Sequence, residues 1–270
     1  MALTAMLSAK KSPGTTVTAL AFTLSWTRRT ILAECDPAGG DIAAGYLREV
    51  PIGERGLAQL TASLHRQRLA QDLWSQLVDL APGKETAMTR LVLPGLTDPG
   101  QAAGVALGWE QLANLFRSLE AGTSGYDVIA DCGRLMTAYP PKPILAAADI
   151  VLLVLRRTLP SIRSTAAALA ALRRDGIDRV ALVTVGDGPY AIKEIALQLR
   201  APVVAALPDD PGTAAVLSTG GERHRGRLLR AAARAEGEVW QMITAGRAAR
   251  AGRSPRPVPP APVREVRSVR

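Results

Sequence analysis

Ala2-Leu-Thr-Ala-Met-Leu-Ser8-Ala-Lys10-Lys11-Ser12-Pro13-Gly14-Thr15-Thr16 is the stretch on which the fold turns. Its apolar run, residues 2–7, reads as a buried strand that passes through a short loop directly into a helical run beginning near Thr16. Strand, loop and helix in that order bring backbone amides and the positive end of a helix to one point, which favours an anion. The phosphate-loop pattern G-x-x-x-x-G-K-[ST] is not met. Its first glycine is absent, and Thr15 stands where lysine is required, ahead of the Thr16 hydroxyl. Alone, this stretch is a weak signal and reads more readily as an ordinary polar turn.

Outward from it, short apolar runs alternate with longer amphipathic ones through about residue 220. That alternation predicts a parallel sheet covered by helices. Further strands are expected at residues 30–34, 90–93, 126–130, 150–155, 179–183 and 203–206. Between Gly56 and Leu80, the residues Leu57, Leu60, Leu64, Leu73, Leu77 and Leu80 form one apolar stripe at helical spacing, ended by Pro82-Gly83. Trp109, Leu112, Leu115, Phe116 and Leu119 mark another helix, and Ser161 opens a third that stops at Asp175-Gly176. Leu228, Leu229, Ala232, Val239, Trp240 and Ile243 supply the buried side of a last helix, with Gly226 and Gly237 weakening its continuity. The expectation is one three-layer α/β domain over residues 1–246, with a mostly parallel sheet and its site at the C-terminal ends of the strands.

Composition narrows the function classes. With 270 residues and 47% apolar content, the chain sustains a core, which excludes disorder throughout. The longest apolar run, residues 144–155, contains Asp149 and falls short of the ~20 residues a membrane span needs. The first seven residues lack a charged leader and a cleavage site, so a cytoplasmic protein is expected. Cys35, Cys132, His65 and His224 offer neither a disulfide framework nor zinc-ligand spacing. The net charge of +9 is concentrated at the end: from Arg223 onward there are twelve arginines against Glu236, Glu238 and Glu265. Arg253-Ser-Pro-Arg-Pro-Val-Pro-Pro-Ala-Pro cannot form helix or central strand, because proline has no amide donor. Residues 247–270 are therefore expected to be a disordered basic tail: a solvated tail, a contact for nucleic-acid phosphates, or a contact for an acidic membrane or protein surface. Arg156-Arg157 is expected to be a solvated pair or an anion contact at a strand end.

Two further segments give the loop its context. Ile31-Leu-Ala-Glu34-Cys35-Asp36-Pro-Ala-Gly-Gly-Asp41 resembles the D-x-D-P strand end of the ParA/MinD group of P-loop ATPases, and Tyr126-Asp-Val-Ile-Ala-Asp131-Cys132-Gly133-Arg134 resembles that group's Walker B segment. The group's deviant loop, K-G-G-x-G-K-[ST], aligns with Lys10-Lys11-Ser12-Pro13-Gly14-Thr15-Thr16. Ala148-Asp149 matches its "AD-hydrophobic" element, and Ala206-Leu-Pro208-Asp-Asp its proline-containing loop. The resemblance spans roughly residues 1–245.

Carried over residue by residue, the resemblance implies that Lys10 reaches a partner's phosphates across a nucleotide-sandwich homodimer. It implies that residues 11–16 (Lys11, Ser12, Pro13, Gly14, Thr15 and Thr16) cradle ATP, that Thr16 and Asp131 hold Mg2+, that Asp36 positions the attacking water, and that Pro208 flanks the base. Two departures stand out. Thr15 replaces the lysine that neutralises phosphate charge, and the strand near residue 183 offers no asparagine to read adenine, leaving Thr184 or Asp187. Lys11 either restores charge by pointing inward or is solvated. Asp36 and Asp131 have a plain alternative as strand-end caps, and Glu34 is as readily structural as functional. The implied function is a nucleotide-dependent dimerising switch that partitions or positions DNA or a cellular assembly, with weak or absent ATP hydrolysis. The alternative is a non-enzymatic scaffold, for example for a pilus or secretion assembly, with a vestigial site.

Overall fold

The computed structural model of the chain describes residues 2–10, 13–66, 68–81, 88–121, 125–221 and 226–251. They build an eight-stranded sheet from β1 (Leu3–Ser8), β2 (Thr30–Glu34), β3 (Val78–Asp79), β4 (Arg90–Leu93), β5 (Asp127–Arg134), β6 (Ile150–Arg156), β7 (Val180–Val185) and β8 (Val203–Leu207). The order is β3-β4-β2-β5-β1-β6-β7-β8, and all pairings are parallel except that of β3 with β4. The helices are α1 (Thr15–Ser25), α2 (Leu57–Ala62), α3 (Leu69–Gln76), α4 (Ala102–Ala106), α5 (Trp109–Ala121), α6 (Lys142–Ala147), α7 (Leu159–Arg174), α8 (Ile192–Leu199), α9 (Pro211–Thr219) and α10 (Arg227–Ala251).

Strand periodicity builds two cores, one on each face of the sheet. Leu3, Ala5 and Leu7 of β1 face the layer that includes Leu60, Leu112, Phe116 and Ile162, whereas Met6 faces Leu20, Phe22 and Val239. β6 divides likewise, sending Val151, Leu153 and Leu155 one way and Leu152 and Val154 the other. The expected three-layer α/β architecture is what the chain adopts. Burying each large apolar side chain contributes ~1.5–3 kcal/mol relative to exposure. The sheet is thus a rigid platform for whatever its strand ends carry.

Polar clamps close the N-terminal edge of the sheet. Buried Asp127 accepts from the Ala2 amide at 2.8 Å, Trp26 Nε1 at 2.8 Å and Arg28 Nε at 3.1 Å, tying β1 and the end of α1 to β5. Asp149 accepts from the Leu3 amide and pairs with Arg247 at 2.6 Å and Arg250 at 3.1 Å. Burial alone would raise the Asp149 carboxyl; the hydrogen bonds from Arg247 and Leu3, with the charges of Arg247 and Arg250, outweigh it and hold the group below the usual carboxylate range.

Three expectations are corrected. The stripe from Gly56 to Leu80 is not one helix: it divides into α2 and α3 and then straightens into β3, because Val78 and Asp79 pair antiparallel with Val92 and Leu91 of β4. Leu77 and Leu80 are buried by that edge pairing rather than by a helix face. The tail does not begin at residue 247, since α10 continues to Ala251 and its last turns are fastened by Asp149. The remaining tail residues, and Pro82-Gly83, lie outside the described residues. Arg157 is not a solvated side chain: it donates to the carbonyls of Tyr190 at 2.9 Å and Gly188 at 3.2 Å, and pairs with Asp187 at 3.7 Å.

Candidate phosphate and metal site

β1 delivers the chain to the loop, and Gly14 starts the helix after it. Gly14 takes φ 99° at the N-cap of α1, a left-handed conformation that glycine adopts without steric cost. No side chain caps α1, and the Thr18 amide is bonded to the Gly14 carbonyl, so the amides of the first turn are left for an external acceptor. Thr15 is 7% exposed, and among the described residues its Oγ1 is buried without a hydrogen-bond partner. An orphaned buried hydroxyl is costly unless a ligand oxygen completes it.

Three strand ends meet there. A cavity of about 360 Å³ is lined by Gly14, Thr15, Thr16 and Val17 from the start of α1, by Asp36, Ala38, Gly39 and Asp41 from the loop after β2, by Gly133 and Arg134 from β5, and by Ser8. Asp131 is buried beside it; burial raises its carboxyl to about 6, against hydrogen bonds from the Thr16 side chain and the Gly133 amide. Asp36 is also raised, first by burial, with the Ala38 amide and the Arg134 charge opposing. Gly133 has φ 61°, and a Cβ there would stand 2.0 Å from Asp36 Cγ, so its missing side chain is what lets Asp36 lie over the Walker-like strand end.

Glu34 organises the loop behind the site. Its carboxylate accepts from the amides of Asp41 at 2.8 Å, Ile42 at 3.0 Å and Gly95 at 3.0 Å, binding the loop after β2 to the end of β4. Burial, first among the causes, raises it to about 7. It is a structural clamp that faces backbone and not the cavity.

No protein-family model and no curated protein matches the sequence. Solved structures do match the fold. A ParA family ATPase from Chlorobium tepidum TLS superposes with a TM-score of 0.69 at 13% identity, covering 88% of this chain and 97% of that one. The cell division ATPase MinD of Pyrococcus furiosus gives 0.68 at 16% identity over 90% and 100% of the two chains. The septum site-determining protein MinD of Pyrococcus horikoshii OT3, complexed with Mg-ADP, gives 0.67 at 15% identity over 90% and 97%. The chain has a ParA/MinD-like fold.

Within this ParA/MinD-like fold, the expected site residues divide into groups. Gly14, Thr15, Thr16 and Asp36 share one cavity, and Asp131 reaches Thr16 from below. Pro13 and Lys10 line a neighbouring cavity of about 270 Å³ with Arg156, Thr158 and Ser161, and Lys10 is exposed. Pro208 belongs to a third cavity, about 440 Å³, with Thr184, Asp187, Arg157, Arg227 and Arg234. The Thr184 hydroxyl donates to the Ala205 carbonyl at 3.4 Å. Lys11 and Ser12 lie outside the described residues. Arg134 was not expected in the site; the signal that points to it is its place at the end of the Walker B-like segment, in a chain whose phosphate loop has Thr15 at the lysine position. Cys35 and Cys132 are free and buried, with thiols raised by burial, then by neighbouring charge. Among the described residues, no group of three or more His, Cys, Asp or Glu is placed to hold a metal, and no helix is long and apolar enough to cross a membrane.

Proposed function

We propose that the protein is a nucleotide-dependent dimerising switch of the ParA/MinD kind, which partitions or positions DNA or a cellular assembly and hydrolyses ATP slowly or not at all. One observation carries this reading: the uncapped start of α1, with the orphaned Thr15 hydroxyl, opens into the same cavity as Asp36. An acceptor-rich phosphate satisfies both the free amides and the hydroxyl. The similar solved structures, a ParA family ATPase, a cell division ATPase and a Mg-ADP complex, are consistent with that ligand and that role.

The donor set also suits Mg2+, which binds through one or two carboxylates together with substrate phosphates and water. Thr16 and Asp131 would hold it, and bound Mg2+ would neutralise phosphate charge. The amides of α1 orient the phosphates, and Thr15 donates its hydroxyl to them. Asp36, with its carboxyl already raised by burial, positions a water and accepts its proton. Lys10, exposed and outside the phosphate cavity, is free to reach a second copy of the chain. Thr15 cannot supply the charge of the missing lysine, and loss of one aimed donor costs ~10²–10³ in rate. Turnover is therefore expected below ~1 s⁻¹, the low end of ordinary enzymes.

Calorimetry with Mg-ATP, and with ATP plus chelator, tests the assignment. Saturable heat that weakens without Mg2+ is expected. A flat titration at millimolar Mg-ATP contradicts it and leaves the scaffold alternative.

A further inference from the structure

The cavity is short of positive charge. Asp36 and Asp41 line it, Asp131 lies buried beside it, and the loop position that carries lysine in the resemblance is Thr15. Among the described residues, the only cationic side chain that lines it is Arg134. The backbone fixes where that arginine stands: Arg134 pairs in register with Ser8, the last residue of β1, and the Leu135 amide donates to the Ser8 carbonyl at 2.9 Å. Arg134 therefore stands beside the strand that feeds the phosphate loop, after the turn made by Gly133 at φ 61°.

Its guanidinium is uncommitted. Among the described residues, no hydrogen bond or ion pair engages it, although its charge is felt by the Asp36 carboxyl. Two nearby arginines are anchored: Arg157, just past β6, is held by two carbonyls, and Arg227, at the start of α10, donates to the Asp209 carbonyl at 3.1 Å, whereas Arg156 at the end of β6 lines the adjoining cavity with Lys10 and not this one. An unpaired guanidinium beside carboxyls and an orphaned hydroxyl is the arrangement that a tetrahedral anion completes, since planar paired N–H donors match two phosphate oxygens.

We propose that Arg134 is the phosphate-contacting cation of this site, taking the electrostatic place of the missing loop lysine against the terminal phosphate of a bound nucleotide. This deepens the nucleotide reading above and rests on it. The loop then supplies amides and a neutral hydroxyl, while the charge arrives from the end of β5. A site divided this way binds nucleotide without the lysine, and its charge depends on how the segment after Asp131 is held.

The test is calorimetry of the full chain with Mg-ATP, comparing wild type, Arg134→Ala, Arg134→Gln and the double variant Arg134→Ala/Thr15→Lys, with thermal melts to verify folding. Arg134→Gln keeps much of the stem while removing the charge, so it serves if the alanine variant folds poorly. Both single variants should bind on the order of 10- to 100-fold more weakly, the range for losing a hydrogen bond to a charged group. The double variant should recover at least about tenfold, because a loop lysine restores the charge at the same phosphate. Wild-type binding with unchanged affinity in both folded single variants overturns the role of Arg134 and leaves the nucleotide reading standing. Absence of binding by the wild type overturns the nucleotide reading itself, and this inference with it.

Discussion

Replacing Glu34 by glutamine should change how stability depends on pH, by an amount that follows from its burial. Glu34 is 2% exposed and its carboxyl is raised to about 7 from an ordinary 4.5. With the folded value above the unfolded one, its stabilising contribution is complete below about 4.5, falls as pH rises, and is gone above about 7. At 1.36 kcal/mol per unit, that shift removes roughly 2–3 kcal/mol between pH 5 and pH 8. Glutamine keeps the shape and one oxygen, which still accepts from the amides of Asp41 and Ile42, but it turns an N–H₂ toward the Gly95 amide. The lost acceptor costs about 1–3 kcal/mol at every pH. Urea denaturation of both proteins from pH 5 to pH 8 measures the difference directly, and carboxyls common to both proteins cancel in it. The variant should be the less stable protein at pH 5, and the gap should close by roughly 2–3 kcal/mol by pH 8. A gap that stays constant within about 0.5 kcal/mol over this range would refute the claim that Glu34 is a buried clamp with a raised carboxyl.

Two further outcomes follow from the same geometry. Gly133→Ala places a Cβ at 2.0 Å from Asp36 Cγ on a backbone with φ 61°, so it should cost about 1–3 kcal/mol in a thermal melt and weaken Mg-ATP binding by disturbing the turn that sets the adjacent Arg134; wild-type binding and stability would contradict this. If the basic tail contacts DNA, truncation after Ala251 should abolish retention in a mobility-shift assay at low salt without shifting the melt. In the intact chain, log affinity should fall with log salt at a slope near −0.9 per phosphate contact, alike for different sequences.

The sequence showed most of the sheet because its central strands are buried on both faces. Runs such as Ile150 to Leu155 and Ile31 to Ala33 are continuous apolar stretches that no exposed element would carry. Asp36 and Asp131 were legible for a different reason: an aspartate near a strand end is as readily a cap, and it was the resemblance of their two segments, together with the loop between β1 and α1, that singled them out. What was hidden depended on contacts distant in sequence. β3 is two residues long, and Leu77 and Leu80 on either side of it fall on a helical period, so only the pairing with β4 reveals an edge strand. The last turns of α10 run into a proline-rich segment, and nothing local shows that Asp149, 98 residues before Arg247, holds them. Arg134 looked like one more basic residue because its access to the cavity depends on the left-handed turn at Gly133. Glu34 looked even-handed between structure and function, since one of the backbone amides it binds, that of Gly95, comes from the loop after β4 and is 61 residues away in sequence.

Sedimentation velocity of the full chain, alone and with Mg-ATP, tests the central claim most directly, with Lys10→Ala as the companion. The expected result is a monomer without nucleotide, a dimer with Mg-ATP, and a Lys10→Ala protein that binds nucleotide yet remains monomeric. A wild-type monomer under both conditions would contradict the dimerising switch, and a dimer indifferent to nucleotide would identify the chain as a scaffold instead.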